Sequence, residues 1–160
     1  MEIDFALLGF IALNFLVALS GAVFKPGAWY ESLDRPDWRP PNWAFPVVWT
    51  ILYGMIAAAG WIAHAAAGGL LAAPLAFGLY FLQLAFNAAW SWLFFGRRRP
   101  DLALLDTGAM WLAILGNALA FHALNPLAGW LLAPYLAWVS VAFALNLSIM
   151  RRNPQYGTLA

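Results

Sequence analysis

Residues Pro40 to Gly96 read PPNWAFPVVWTILYGMIAAAGWIAHAAAGGLLAAPLAFGLYFLQLAFNAAWSWLFFG, and not one of them is Asp, Glu, Lys or Arg. About 20 apolar residues cross the hydrocarbon of a bilayer as a helix, so this run is too long for one crossing and suits two joined by a turn. A weak break at AAAGG, Ala65 to Gly69, supplies the turn. Two further stretches have the same texture: Phe5 to Phe24 accommodates one helix, and Thr107 to Met150 accommodates a pair. Hydrophobic residues make up 64% of the chain and charged ones 9%, against about 25% charged in an ordinary soluble protein. A transmembrane barrel would alternate apolar and polar residues in segments of about 10, whereas these runs are apolar on every side. The expectation is an all-α membrane protein, a five-helix transmembrane bundle in a single domain over residues 1–160, with a long ordered loop between its first two helices.

The helices are expected over about 3–24, 42–66, 74–96, 102–122 and 126–150, with the loop over 25–41. Lys25 and Pro26 stop the first, because proline lacks the amide donor and restrains the residue before it. Asn42 is a fair N-cap for the second, RRRPD at Arg97 to Asp101 separates the third from the fourth, and Asn125-Pro126 offers a cap and a first-turn proline for the fifth. All eight Lys and Arg then fall on one face of the membrane, with the loop and the C-terminus. Under the positive-inside rule that face is cytoplasmic in a bacterial inner membrane. The N-terminus MEIDFALLGF is acidic where a secretory signal is basic, and reads as a retained span. With no cysteine, disulfides and thiolate metal sites are excluded. No basic stripe suggests nucleic acid as a partner.

The loop itself, KPGAWYESLDRPDWRPPNW from Lys25 to Trp43, gathers six of the fifteen charges, four of the ten prolines and three of the ten tryptophans. Pro36, Pro40 and Pro41 restrain the backbone, and Trp29, Tyr30, Trp38 and Trp43 carry area that is costly to leave in water. Two readings fit: an ordered cap folded over the helix ends, or an interfacial aromatic belt. Proline density favours the cap.

Within the spans, side chains suited to a polar or aromatic ligand fall on stripes. Pro46, Trp49 and Tyr53 share one face of the second helix, Gln83, Asn87, Trp90 and Phe94 one face of the third, and Tyr135, Trp138, Ala142 and Asn146 one face of the fifth. Amides facing lipid would be unsatisfied, so Gln83, Asn87, Asn117 and Asn146 are expected to point inward, as interhelical hydrogen-bond partners or as ligand contacts. Asp106 is the one charge set within a span, and is expected to reach the headgroups or pair with the arginines of RRRPD. His64 and His122 lie near helix ends on the other face, with too few ligands around them for a metal site. Hydrolase, P-loop and zincin patterns are absent.

Three segments in order, KPGAWYESLDRPDWRPPNWAFPVVWTILYG, LQLAFNAAWSWLFFG and PYLAWVSVAFALN, resemble the signature regions of the tryptophan-rich sensory protein and translocator protein (TspO/MBR) family, also called peripheral benzodiazepine receptors. The likeness covers about Ser20 to Asn153. It implies a homodimeric membrane receptor or regulator that binds tetrapyrroles such as protoporphyrin and haem, which are ligands; no cofactor is required. Tyr30, Pro40, Trp49, Tyr53, Asn87, Trp90, Trp138 and Ala142 would line the pocket. Trp29, Trp38, Arg35 and Arg39 would form the lid, with Arg35, Arg39 and Lys25 near the ligand's carboxylates. Trp29 and Trp138 match the tryptophans of a suggested oxidative porphyrin breakdown, which leaves an enzyme, or a transporter of porphyrin or sterol-like ligands, as alternatives. Leu147 stands where the animal sterol motif has tyrosine, so sterol binding by that motif is not expected.

Overall fold

The computed structural model describes residues 4–156, which are helical apart from their connections; Ile3, the expected start of the first helix, lies outside them. The elements are α1 (Phe5–Val23), α2 (Ala28–Glu31), α3 (Ala44–Ala67), α4 (Pro74–Ser91), α5 (Pro100–Leu124), α6 (Pro126–Trp130) and α7 (Ala133–Arg152). Short 3-10 turns occupy Leu70–Ala72 and Pro154–Tyr156, and a π-type turn, Trp92–Gly96, extends α4.

Four stretches are long and apolar enough to cross a membrane: α1, α3, α5, and Pro126–Arg152 comprising α6 and α7. The fifth expected span, α4, has 18 residues but interrupts its apolar surface with Gln83, Asn87 and Ser91, all buried inside the protein. Helix ends follow local chemistry. Asp4 caps α1, accepting hydrogen bonds from the amides of Ala6 (3.0 Å) and Leu7 (3.1 Å), and its other oxygen accepts from Trp61 Nε1 of α3 at 2.7 Å. The Leu7 amide and then the Trp61 indole hold this carboxyl below its ordinary value. Gly68 closes α3 in the left-handed conformation (φ 79°), where a side chain would be strained.

Two boundaries differ from the expected ones. Asn42 does not cap α3: the helix begins at Ala44 after Trp43 without a side-chain cap, and Asn42 instead accepts from Arg39 at 2.9 Å. The final helix is broken at Leu131 and Leu132. Pro134 explains the break, because in a continuous helix its ring would collide with the Trp130 carbonyl and leave that carbonyl without a donor.

Packing closes the helices into a ring in which α1 meets α3 and α4, α4 meets α5, and α5 meets α7 and α6. The closure between α3 and the C-terminal helices is uneven: α3 rests mainly on α6, at the end of the bundle remote from α2, and only sparsely on α7. The main core, around Ile56, Phe77, Tyr80, Ile114 and Phe121, fills that remote end. Gly60 lets α1 approach there, since a Cβ on it would lie 2.7 Å from the Phe10 ring. A second, smaller core of Tyr30, Leu33, Phe94, Ala103, Leu145 and Ile149 caps the other end. Between the two cores the sparse α3–α7 contact leaves the helices apart.

Candidate ligand-binding site

That gap is a cavity of about 560 Å³, bounded by α1, α2, α3, α4 with its π turn, α5 and α7. Its walls are aromatic. Trp49 stacks on Tyr53 (ring centroids 5.4 Å, interplanar 29°) and meets Tyr135 edge-on; Trp90 stacks on Phe94 (5.0 Å, 17°); Phe45 meets Trp138 edge-on at 5.7 Å. The π turn contributes both Phe94 and Phe95: its wider winding presents two consecutive rings to the cavity, and Tyr30 packs edge-on to both.

Polar groups are few and mostly paired. The Tyr53 hydroxyl donates to Asn87 Oδ1 (2.6 Å), Asn87 Nδ2 donates to the Tyr135 hydroxyl (2.9 Å), and that hydroxyl donates to Met110 Sδ (3.4 Å), so one chain of contacts ties α3, α4, α7 and α5. Asn146, with its amide in the orientation that satisfies both ends, donates to the Pro100 carbonyl (3.1 Å) and accepts from the Leu104 amide (3.0 Å). Asn117 donates to the Ala76 carbonyl at 3.0 Å. All four amides singled out in the sequence are buried, and three of them join helices. Gln83 is fully buried with neither amide atom partnered among the described residues, and the Trp90 indole N–H likewise finds no acceptor.

Of the residues that family resemblance assigned to the pocket, Tyr30, Trp49, Tyr53, Asn87, Trp90, Trp138 and Ala142 line this cavity; Pro40 does not. Pro40 belongs to the chain leading into α3 and lies outside the lining, so it shapes the connector and does not form the wall. Residues 42, 45, 46, 91, 94, 95, 107, 110, 145 and 149 also line it. Phe45, Leu145 and Ile149 were missed because their aromatic or aliphatic character is indistinguishable from that of lipid-facing neighbours.

The connector is folded, and it divides between the two readings left open. Trp29 packs edge-on against Phe94 and Tyr156, and Tyr30, Leu33 and Pro36 are buried, which makes the first half a cap. Trp38 and Trp43 are 55% and 69% exposed and lie outside the cavity lining, as an interfacial belt would have them. Trp29 stands behind Phe94, outside the cavity lining. Arg35 lies over the Tyr30 ring (4.9 Å) and pairs with Glu31 at 3.0 Å; Arg39 is outside the lining and donates to Asn42, which lines the cavity. Lys25 is exposed beside Pro26, which lines the cavity.

Asn153 anchors the connector to the end of α7. Its Oδ1 accepts from the Asp34 amide (3.0 Å), and its Nδ2 donates to the Asp34 carbonyl (2.9 Å) and to the Ile149 carbonyl (2.8 Å). Asp106 departs from expectation. It is buried, and its Oδ2 has no partner among the described residues; Arg99 of RRRPD pairs instead with the motif's own Asp101, to which it donates two hydrogen bonds (2.8 and 2.6 Å). Asp101, beginning α5, is within reach of that arginine, whereas Asp106 lies more than a turn further into the bundle. His64 and His122 sit in the last turns of α3 and α5, in aromatic contact with Phe10 and Phe77 and with Trp130 respectively.

Residues 10–152 match the profile of the TspO/MBR family. The chain is 40% identical over 154 residues to a tryptophan-rich sensory protein of Cereibacter sphaeroides, covering 96% of this chain and 95% of the relative. It is 40% identical over 139 residues to protein CrtK of Rhodobacter capsulatus, covering 84% of each, and 35% identical over 150 residues to the translocator protein of Homo sapiens, covering 91% and 89%.

Proposed function

The chain belongs to the TspO/MBR family of integral membrane proteins, and from that premise we propose that it is a membrane receptor or regulator binding tetrapyrroles, such as protoporphyrin, in the aromatic cavity under its first connector. The observation that carries this reading is the convergence of Tyr30, Trp49, Tyr53, Trp90 and Trp138 from four elements on one hollow of about 560 Å³. Sites for small ligands usually occupy roughly 300–1,000 Å³, with mostly apolar walls and a few placed polar groups. A flat macrocycle stacks its faces on such walls, while its carboxylates stay near Arg39 and Asn42 at the mouth. The connector excludes water from the bound ring.

The same reading takes α4 as a fifth crossing. Its 18 residues extend about 27 Å at 1.5 Å per residue, it runs against α1 and α5, and its polar side chains turn inward. The connector, the RRR turn and the C-terminus then share the basic, cytoplasmic face of an inner membrane. Two copies are expected to associate through a lipid-facing helix surface; on α4, Gly78 and Ala85 are exposed and leave room for a neighbour.

Protoporphyrin IX titrated into the protein in lipid nanodiscs should quench tryptophan emission saturably. In the Trp49→Ala, Trp138→Ala double variant the dissociation constant should rise at least tenfold. Affinity, read from the midpoint and not the amplitude, is the measure, because the substitutions also remove fluorophores. An unchanged midpoint would remove the site from this cavity.

A further inference from the structure

The bundle carries a second apolar hollow, and it shares one side chain with the first. On the outer surface between α3 and α7 lies a groove of about 370 Å³ whose lining includes Val48 of α3 and Ala137 and Trp138 of α7. Trp138 also lines the inner cavity, so its indole forms the partition between a lipid-facing groove and the proposed ligand site. Phe45 meets that indole edge-on from α3. The partition is held by apolar contact alone: among the described residues no hydrogen bond joins α3 to α7 at Trp138, Phe45 or Val48, and helix contact along this seam is sparse.

The connector is held quite differently. Lifting it would break the two hydrogen bonds between Asn153, which is 3% exposed, and Asp34, and uncover Tyr30 and Leu33. Breaking buried hydrogen bonds leaves groups unsatisfied, whereas a side-chain rotation at a seam of dispersion contacts leaves none. An apolar flat ligand also concentrates in the bilayer, on the groove side of the partition. We propose that the α3–α7 seam is a lateral portal through which tetrapyrrole-class ligands pass directly between lipid and cavity, with the Trp138 indole as its movable gate. The connector then seals the cavity against water and is not the entrance. This rests on the cavity being the binding site.

A gate on the path changes association and dissociation together and leaves the equilibrium constant alone. The chain has no cysteine, so only introduced thiols react. Val48→Cys with Ala137→Cys places thiols on the groove side only, since neither residue lines the cavity. In phosphatidylcholine vesicles loaded with protoporphyrin IX, a reducible bis-thiol crosslinker across this pair should slow both the onset of quenching and its decay after dilution at least tenfold. The midpoint should be unchanged, and reduction should restore the rates. Ala137→Trp, which fills the groove without a bridge, should slow both rates in the same sense. The comparison is Asp34→Cys with Arg152→Cys, bridged likewise, which pins the connector and should leave the rates as they were. Unchanged rates at the bridged seam, slowing only at the bridged connector, or a midpoint shifted because only one of the two rates changed would each overturn the portal while leaving the site intact. Absence of saturable quenching in the unbridged protein would instead remove the site, and the portal with it.

Discussion

Asn87 is the residue at which the candidate site and the stability of the bundle meet. Its amide accepts from Tyr53 and donates to Tyr135, so a single side chain satisfies two tyrosine hydroxyls contributed by other helices. Tyr135 is fully buried and Tyr53 borders the cavity, where its ring also supports Trp49 by stacking. Replacing Asn87 with Leu keeps the volume and deletes both partners. The Tyr135 hydroxyl would retain only the weak thioether acceptor of Met110. Leaving buried groups unpaired costs about 1–3 kcal/mol, more than the net worth of the bonds themselves. Asn87→Leu is therefore expected to lower unfolding free energy in micelles by about 2 kcal/mol. In that background Tyr135→Phe should cost less than it does alone, with a coupling of about 1 kcal/mol in a double-mutant cycle. Strictly additive losses would mean that the two side chains do not act as a pair.

Among elements, the connector shows how a composition becomes a structure. Its prolines and aromatics read as a restrained, aromatic-rich segment, and proline density favoured a cap over the helix ends against an interfacial belt. What sequence could not supply is the clasp, because Asn153 and Asp34 lie 119 positions apart and nothing local to either marks the other. The clasp has a neighbour, an Arg152–Asp34 ion pair at 3.3 Å whose side chains are 45% and 61% exposed. An exposed pair of this kind is worth roughly 0–1 kcal/mol, because solvent screens it and two long side chains must be held still. The buried amide is worth more. Asn153→Ala should accelerate hydrogen exchange of the amides of residues 30–36 by about tenfold, whereas Arg152→Ala should change it less than about twofold. Equal effects, or a larger one at Arg152, would put the hold on the connector in the charges.

At the scale of the whole molecule, neutral runs and turn residues foretold an all-helical membrane chain, because an uncharged apolar stretch as long as a bilayer is thick is costly in water and at home in lipid. They did not foretell that Pro134 splits the last span, although its ring chemistry was there to be read, nor that α4 would be too polar to resemble the others. They act at different places: the polar face of α4 supplies Asn87 and Ser91 to the cavity lining, whereas Pro134 at the break lines the outer groove between α3 and α7. A bundle that keeps its helices apart forgoes core packing at that end, so a ligand filling the space contributes to stability as well as occupying a site. Binding to the folded state alone raises unfolding free energy by RT ln(1 + [L]/Kd), about 2.7 kcal/mol at a hundredfold excess over Kd. Ala142 is the small member of the α7 stripe, one turn from Trp138 and facing the same hollow. Ala142→Phe would place a ring where the macrocycle lies. The variant is expected to melt at or above the temperature of the parent protein without ligand, and to lose the upward shift that protoporphyrin IX gives the parent. Those two outcomes belong together, since they share one cause: the same volume cannot be filled twice. A variant that still gains the full shift would show that the ligand stabilises the protein from some other surface.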